Sequence, residues 1–322
     1  MKLLEINDLT VSLQTKNGYA KAVSNLSLTL SKGEILGIAG ESGSGKTMTA
    51  LTLLGLLPHR AKVSGSIAFM GQELVGANTK TLQDIRGKQI SMVFQDPMTA
   101  LHPMLTIRTL LTEHMRIHLN LSQKEANLRG ESLLNDVRIP DPKRAMSAHP
   151  GQFSGGMRQR IAIAIALACE PEILLADEPT TALDVTVQAG ILRLLDRLRR
   201  ERDLSVIFIT HDLGVLSSIT DNLLVMYGGR EAESGHTREL LLKPRHPYTK
   251  GILDSLPDPN HPERSLSSIK GFPPELGSVI DGCAFASRCL YVQDSCRSGS
   301  ISLTELSARH RFFCPVDPLV AK

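Results

Sequence analysis

The stretch Gly40-Glu41-Ser42-Gly43-Ser44-Gly45-Lys46-Thr47 constrains this chain more than any other segment. It fits G-x-x-x-x-G-K-[ST] and stands between a short apolar run, Glu34–Ala39, and a helix-like run, Thr47–Leu57. A strand that turns through glycines into a helix is the context that makes this pattern a phosphate-binding loop. Glycines let successive backbone N–H groups wrap an anion, and the helix N-terminus adds partial positive charge. In such a loop Lys46 reaches the β- and γ-phosphates of a nucleotide. Thr47 ligates Mg²⁺, and Met48 follows in the first helical turn. A loop of this kind needs a parallel α/β sheet to hold it.

Other periodicities agree with that sheet. Ile173–Ala176, Val206–Ile209 and Leu223–Met226 are continuous apolar runs, as expected of parallel strands covered on both faces. Leu3–Leu13 and Leu26–Leu30 alternate instead, which predicts antiparallel strands at one edge. Ile191, Leu194, Leu195 and Leu198 recur at i, i+3, i+4 and i+7 of a helix. Arg193, Asp196, Arg197, Arg199 and Arg200 fall on its other side, and this face reads as solvated. Asp177-Glu178 ends the run Ile173–Ala176 and sets two carboxylates at a strand end. Asp177 is expected to hold Mg²⁺, and Glu178 to polarise the attacking water as general base.

Composition excludes several classes. The 322 residues exceed one average domain, so an insertion or appendage is expected. Lys+Arg 36 against Asp+Glu 33 leaves only +3, and aromatics are 4% with no Trp. Charge and stacking therefore both argue against direct nucleic-acid binding. Charges in Met1–Asp8 break the apolar core that a signal peptide needs. No run approaches the roughly 18 to 20 apolar residues of a spanning helix. The expectation is a cytoplasmic chain that meets a membrane only through partners.

Further motifs narrow the class. Phe153-Ser154-Gly155-Gly156-Met157 precedes the Asp177 strand and resembles the L-S-G-G-Q signature of the ABC-transporter ATPases. Phe153 and Met157 depart from that form, while Ser154, Gly155 and Gly156 keep it. Gln95, in Val93-Phe94-Gln95-Asp96-Pro97, matches the family's glutamine that senses Mg²⁺ and the attacking water. Ala182-Leu183-Asp184 matches the D-loop, and His211 matches the switch histidine that contacts the γ-phosphate. The resemblance implies a P-loop ATPase fold with a parallel sheet core, an antiparallel β layer and a helical subdomain over about 97–160. It implies ATP and Mg²⁺ as cofactors, with Thr47, Gln95 and Asp177 around the metal. It also implies a head-to-tail pair in which the signature of one chain faces the ATP of the other. The amphipathic stretch Leu105–His118 is expected to meet a membrane partner or simply to pack. Tyr19, the local aromatic before the loop, is either an adenine-stacking residue or a surface tyrosine.

From His246 the texture changes. Eight of the 17 prolines lie in residues 246–322, which read as a loop-rich appendage to an ATPase domain over 1–245. Four of the five cysteines sit there: Cys283, Cys289, Cys296 and Cys314. The fifth, Cys169, ends an apolar helix and reads as core. Four thiolates could hold zinc or an iron–sulfur cluster, or remain unligated. His246-Pro247-Tyr248-Thr249-Lys250, with Gly282-Cys283 and Arg288-Cys289 further on, resembles the C-terminal region of the dipeptide/oligopeptide/nickel importer ATPases. Leu290 stands where that subfamily usually has Pro. The resemblance implies that the four cysteines hold a [4Fe–4S] cluster that staples a coreless tail. It implies a second, paralogous ATPase subunit, two transmembrane permeases and an extracytoplasmic solute-binding protein. The chain is then expected at the cytoplasmic face of the membrane, powering uptake of peptides or a related solute. The alternative is an ABC ATPase of translation or DNA repair.

Overall fold

The computed structural model describes residues 2–96, 100–181, 183–256, 268–278, 280–307 and 310–316. Its strands are β1 (Lys2–Thr15), β2 (Gly18–Ser31), β3 (Ile35–Ala39), β4 (Lys62–Phe69), β5 (Gln72–Glu73) and β6 (Ile90–Val93). They continue with β7 (Ile173–Asp177), β8 (Ser205–Thr210), β9 (Asn222–Tyr227), β10 (Arg230–His236), β11 (Thr304–Ser307) and β12 (His310–Phe312). The chain divides into two compact units, residues 1–76 with 208–322, and residues 77–207.

The first unit holds the antiparallel layer, in strand order β2-β1-β4-β5. Alternation explains it: Leu4, Ile6 and Val11 of β1 are buried while Glu5 and Asn7 are not. Register shifts between Ile6 and Leu9 let the chain keep Leu9 buried too, with Asp8 at φ +49° absorbing the irregularity. In the same unit β3 runs parallel to β9, from Leu36 opposite Asn222 to Ala39 opposite Val225. Every residue of β3 is buried, as its unbroken apolar sequence requires. The strand order continues β9-β10-β12-β11, so the C-terminal segment extends this sheet by a hairpin. Buried charge fixes the attachment. His310 Nε2 lies 2.8 Å from Glu233, and Arg311 donates to Glu231 at 2.8 Å. Glu233 also accepts the backbone N–H groups of Arg245 and His246, at 2.7 and 3.0 Å. Burial pushes the Glu231 carboxyl up, and the Arg311 guanidinium opposes that shift.

In the second unit β6 runs parallel to β7, with Ile90 opposite Ile173 and Val93 opposite Ala176. Helices Ile107–Leu119, Gln123–Asp136, Gly155–Ala166 and Val185–Arg202 belong to this unit. The first buries Ile107, Leu111 and Met115, one apolar stripe at helical spacing. The second opens on a full capping box between Ser122 and Glu125. The fourth buries Ile191, Leu194, Leu195 and Leu198, the stripe read from the sequence. Cys169 is buried, as expected of core. Among the described residues no helix is long and apolar enough to cross a membrane.

Candidate active site

The loop after β3 closes on its own lysine. Lys46 is 5% exposed, and its Nζ donates to Gly40 O at 2.7 Å, Glu41 O at 2.8 Å and Ser44 Oγ at 3.3 Å. Glycine is obligatory at two places. A Cβ on Gly40 would stand 2.3 Å from Met226 O, and one on Gly45 (φ +99°) would stand 2.7 Å from Ala22 O. The helix Lys46–Leu53 starts directly from Gly45, whose carbonyl accepts from the Thr49 N–H at 2.9 Å. Thr47 is exposed in the first turn, Met48 is half-buried beside it, and Ser42 and Gly43 are exposed at the tip. The loop therefore combines an anchored cation with a helix N-terminus, the parts of an anion seat.

The C-terminal segment reaches this loop, a contact that sequence reading missed. Glu41 donates its backbone N–H to Tyr248 Oη at 2.9 Å, and its carboxylate takes the Arg288 guanidinium at 2.8 Å. Arg288 also donates to Tyr227 Oη at 3.2 Å and to Lys270 O at 3.0 Å. Tyr248 is fully buried in an aromatic group with Tyr227 and Phe285, at centroid distances of 4.6 and 5.3 Å. His246 Nδ1 accepts the Tyr248 N–H at 3.1 Å, so that ring is neutral; burial holds its pKa down to about 4. Burial likewise pushes the Tyr248 phenol well above its usual range.

At the far end of β7, Asp177 is buried as the last strand residue, and Glu178 follows in the left-handed region at φ +45°. A non-glycine residue there stores strain of about 1 kcal/mol or more. Gln95 Nε2 donates to Glu178 Oε2 at 3.0 Å, and Thr181 Oγ1 to the same oxygen at 2.9 Å. Strand register brings Gln95 and Glu178 together across 83 residues. Val93 pairs with Ala176, and each side chain lies two residues beyond that pair.

Ser154 caps the helix Gly155–Ala166, its Oγ accepting the Met157 N–H at 3.4 Å. Ser154 and Gly155 are exposed, whereas Phe153 and Met157 are half-buried. A Cβ on Gly156 would meet Val187 Cγ1 at 2.6 Å, so this glycine is set by close packing on the helix Val185–Arg202. Asp184 caps that second helix through the Val187 N–H at 2.9 Å. The signature turn and the D-loop therefore meet at Val187. Ala182 lies outside the described residues, as does Pro97. His211 is exposed just past β8, and Asp212 beside it caps the helix Leu213–Ile219. Tyr19 is 46% exposed, with the Lys62 ammonium 4.0 Å from its ring centroid.

Cys283, Cys289, Cys296 and Cys314 line one cavity of about 10 Å³, room for about one water. None is in a disulfide, and among the described residues no group of His, Cys, Asp or Glu is arranged to hold a metal ion. Burial pushes the Cys314 thiol up to about 12 and those of Cys283 and Cys289 in the same direction. Cys296 and Cys314 are packed as small apolar groups with Phe312 and Val316, and Cys283 packs against them. This corrects one expectation: the tail is not coreless, because those residues build it a small core of its own.

The fold is that of a P-loop nucleotide hydrolase. Residues 23–181 match the ABC transporter family, and residues 232–296 match the oligopeptide/dipeptide transporter C-terminal region. The oligopeptide transport ATP-binding protein OppD of Salmonella typhimurium is 45% identical over 296 residues, covering 92% of this chain and 88% of that protein. The dipeptide transport ATP-binding protein DppD of Bacillus subtilis is 49% identical over 290 residues, covering 89% and 87%. A dimeric structure of the ATP-binding cassette MJ0796 bound to ADP and Pi has TM-score 0.66 and 28% identity, covering 73% of this chain and 99% of that one. The chain belongs to the ABC transporter ATPases, with the C-terminal region of the oligopeptide/dipeptide branch, and its chemistry is ATP hydrolysis.

Proposed function

We propose that this chain powers an importer of dipeptides, oligopeptides or a related small solute such as nickel. The observation that carries the reading is identity of 45% and 49%, through ATPase and tail alike, to proteins named for oligopeptide and dipeptide transport. No specific observation favours the translation or repair reading. The chain would act peripherally at the cytoplasmic face of the membrane, with two permeases, a second ATPase subunit and a solute-binding protein.

In the proposed mechanism Gly40 to Gly45 wrap the phosphates with backbone N–H groups, and Lys46 neutralises the β- and γ-phosphates. Thr47, Gln95 and Asp177 would hold Mg²⁺, which would offset the charge that builds on the transferred phosphoryl group. Glu178 takes a proton from the attacking water, which Gln95 orients, and His211 contacts the γ-phosphate. Ser154, Gly155, Gly156 and Met157 face the ATP of the partner subunit, with Asp184 alongside. Tyr19 is the candidate against the adenine. Closure around ATP is stabilised only by contacts that the γ-phosphate makes in the closed state, so hydrolysis reopens the pair.

Resemblance alone assigns a [4Fe–4S] cluster to the four tail cysteines; to hold one, the thiols would have to deprotonate and the cavity of about 10 Å³ between them would have to open. Such a cluster would cross-link the tail. Anaerobic purification followed by visible absorption, iron and sulfide analysis tests it; a colourless, iron-free chain with a folded tail rejects it. Import itself is tested by uptake of a labelled dipeptide in cells lacking this chain. Uptake restored by the wild type and not by Glu178→Gln supports the reading, and uptake of a dipeptide, an oligopeptide and Ni²⁺ that is unchanged without the chain overturns it.

A further inference from the structure

The arginines of the helix Val185–Arg202 do not form one solvated face. Arg199 and Arg200 reach Asp196 at 3.3 and 2.8 Å, and Arg202 reaches Asp136 at 2.5 Å. Arg193 and Arg197 instead line a cavity of about 290 Å³. Arg160 of the helix Gly155–Ala166 and Arg138, just beyond the helix Gln123–Asp136, line it too. Thr186 and Gly190 contribute to the wall, and no carboxylate does.

Two of the four guanidinium groups are oriented, and neither of these is neutralised. Arg197 donates to the Asp136 carbonyl, and Arg160 to the Val137 carbonyl at 3.1 Å. Both acceptors are uncharged, and the Asp136 carboxylate is engaged by Arg202. Among the described residues the side chains of Arg138 and Arg193 have neither an ion pair nor a hydrogen bond. Gly190 keeps the wall open, since a Cβ there would stand 3.1 Å from Arg160 Nη2. Burial, with the Arg138 charge added, pulls the Arg160 pKa below that of a free guanidinium.

Like charges gathered at one cavity repel, and an anion between them reverses the sign of that energy. Planar guanidinium forks match phosphoryl oxygens in paired hydrogen bonds. The cavity is roomier than a single phosphate needs. We infer that it binds a small soluble anion with two linked phosphoryl groups. The ligand bridges the helix that begins at the signature turn and the helix that begins at the D-loop. Those helices already touch through Gly156 and Val187, so occupancy stiffens the surface offered to a partner's ATP.

Titration calorimetry of the full chain with inorganic pyrophosphate is the test. It is run in a Lys46→Ala background, which removes the phosphate loop as a competitor. One pyrophosphate per chain is expected, with affinity falling roughly 10-fold or more in Arg138→Gln/Arg193→Gln. Both side chains are exposed, so the fold should survive, checked by circular dichroism. Wild-type chain saturated with a non-hydrolysable ATP analogue gives a second measurement with the loop unaltered. Binding that disappears in both backgrounds, or that is unchanged in the double variant, overturns the proposal. Equal affinity for sulfate overturns it as well. So does capture by phosphatidylglycerol vesicles without binding of pyrophosphate, which would make this a membrane-facing patch.

Discussion

The loop Gly40–Thr47 and the turn Ser154–Met157 each present backbone N–H groups at a helix N-terminus, yet they are built in opposite ways. The loop is closed: Lys46 is buried, its three donors are satisfied by loop oxygens, and two glycines are wedged against backbone carbonyls. The turn is open: Ser154 and Gly155 are exposed, and the cap engages only the Met157 N–H. A seat with an internal cation can hold a phosphate alone. A helix end with a hydroxyl and no lysine anchored within its turn is half of a site. The contrast fits a chain that brings one complete seat for its own ATP and one cover for a partner's.

Several substitutions sharpen or break that contrast. The largest effect is expected from Glu178→Gln, which should slow steady-state hydrolysis in the assembled complex by about 10²–10⁴. Bound ATP, counted by filter retention, should persist. Near-normal turnover would remove Glu178 from the role of base. Lys46→Ala should lower both ATP affinity and turnover, by about 10²–10³ in rate, because the closed seat loses its charge. Ser154→Ala acts on the open half. It should cost about 1 kcal/mol of helix stability through the lost cap and leave ATP affinity of the isolated chain unchanged. A fall in that affinity would mean that the turn serves its own nucleotide.

A smaller effect is expected at the tail. Arg288→Ala releases the Glu41 carboxylate and should weaken ATP binding by roughly 3- to 10-fold, about 1 kcal/mol. Arg288→Lys should recover part of it, and wild-type affinity in both variants would make the contact with the loop incidental. A separate lever, on stability and not on nucleotide binding, is pH. His246 is held neutral at about 4 in the folded chain, below the value of about 6.5 in an unfolded one. Its depressed pKa means the unfolded chain binds the extra proton first. Stability is then full above pH 6.5 and declines as pH falls towards 4, by up to about 1.4 kcal/mol per unit. Denaturant melts of wild type and His246→Gln check this, and identical pH slopes would refute it.

The parts legible in the sequence are those whose signal is local. The phosphate loop is a contiguous pattern between a strand run and a helix run. The carboxylates Asp177 and Glu178 declare themselves by ending an apolar strand. The stripe Ile191–Leu198 shows which face of its helix is buried. It does not show what stands opposite Arg193 and Arg197, so their cavity was invisible. Gln95 was nameable, but its bond to Glu178 follows from the pairing of β6 and β7, a long-range register with no local mark. Arg288 and Tyr248 stood out only by resemblance. Their grip on Glu41 spans 247 and 207 residues, beyond any periodicity. Phe312 and Val316, in a short stretch with no strand or helix periodicity, did not reveal that they wall in Cys296 and Cys314.

In the proposed mechanism the open turn of this chain covers the ATP of its partner. Photolabelling of the assembled complex with radioactive 8-azido-ATP under trapping conditions tests it directly, with Gly155→Asp in this chain alone. The added carboxylate should repel a γ-phosphate wherever the turn faces one. Label is expected to stay on this chain and to be lost from the partner ATPase. Label lost from this chain and kept on the partner would contradict it.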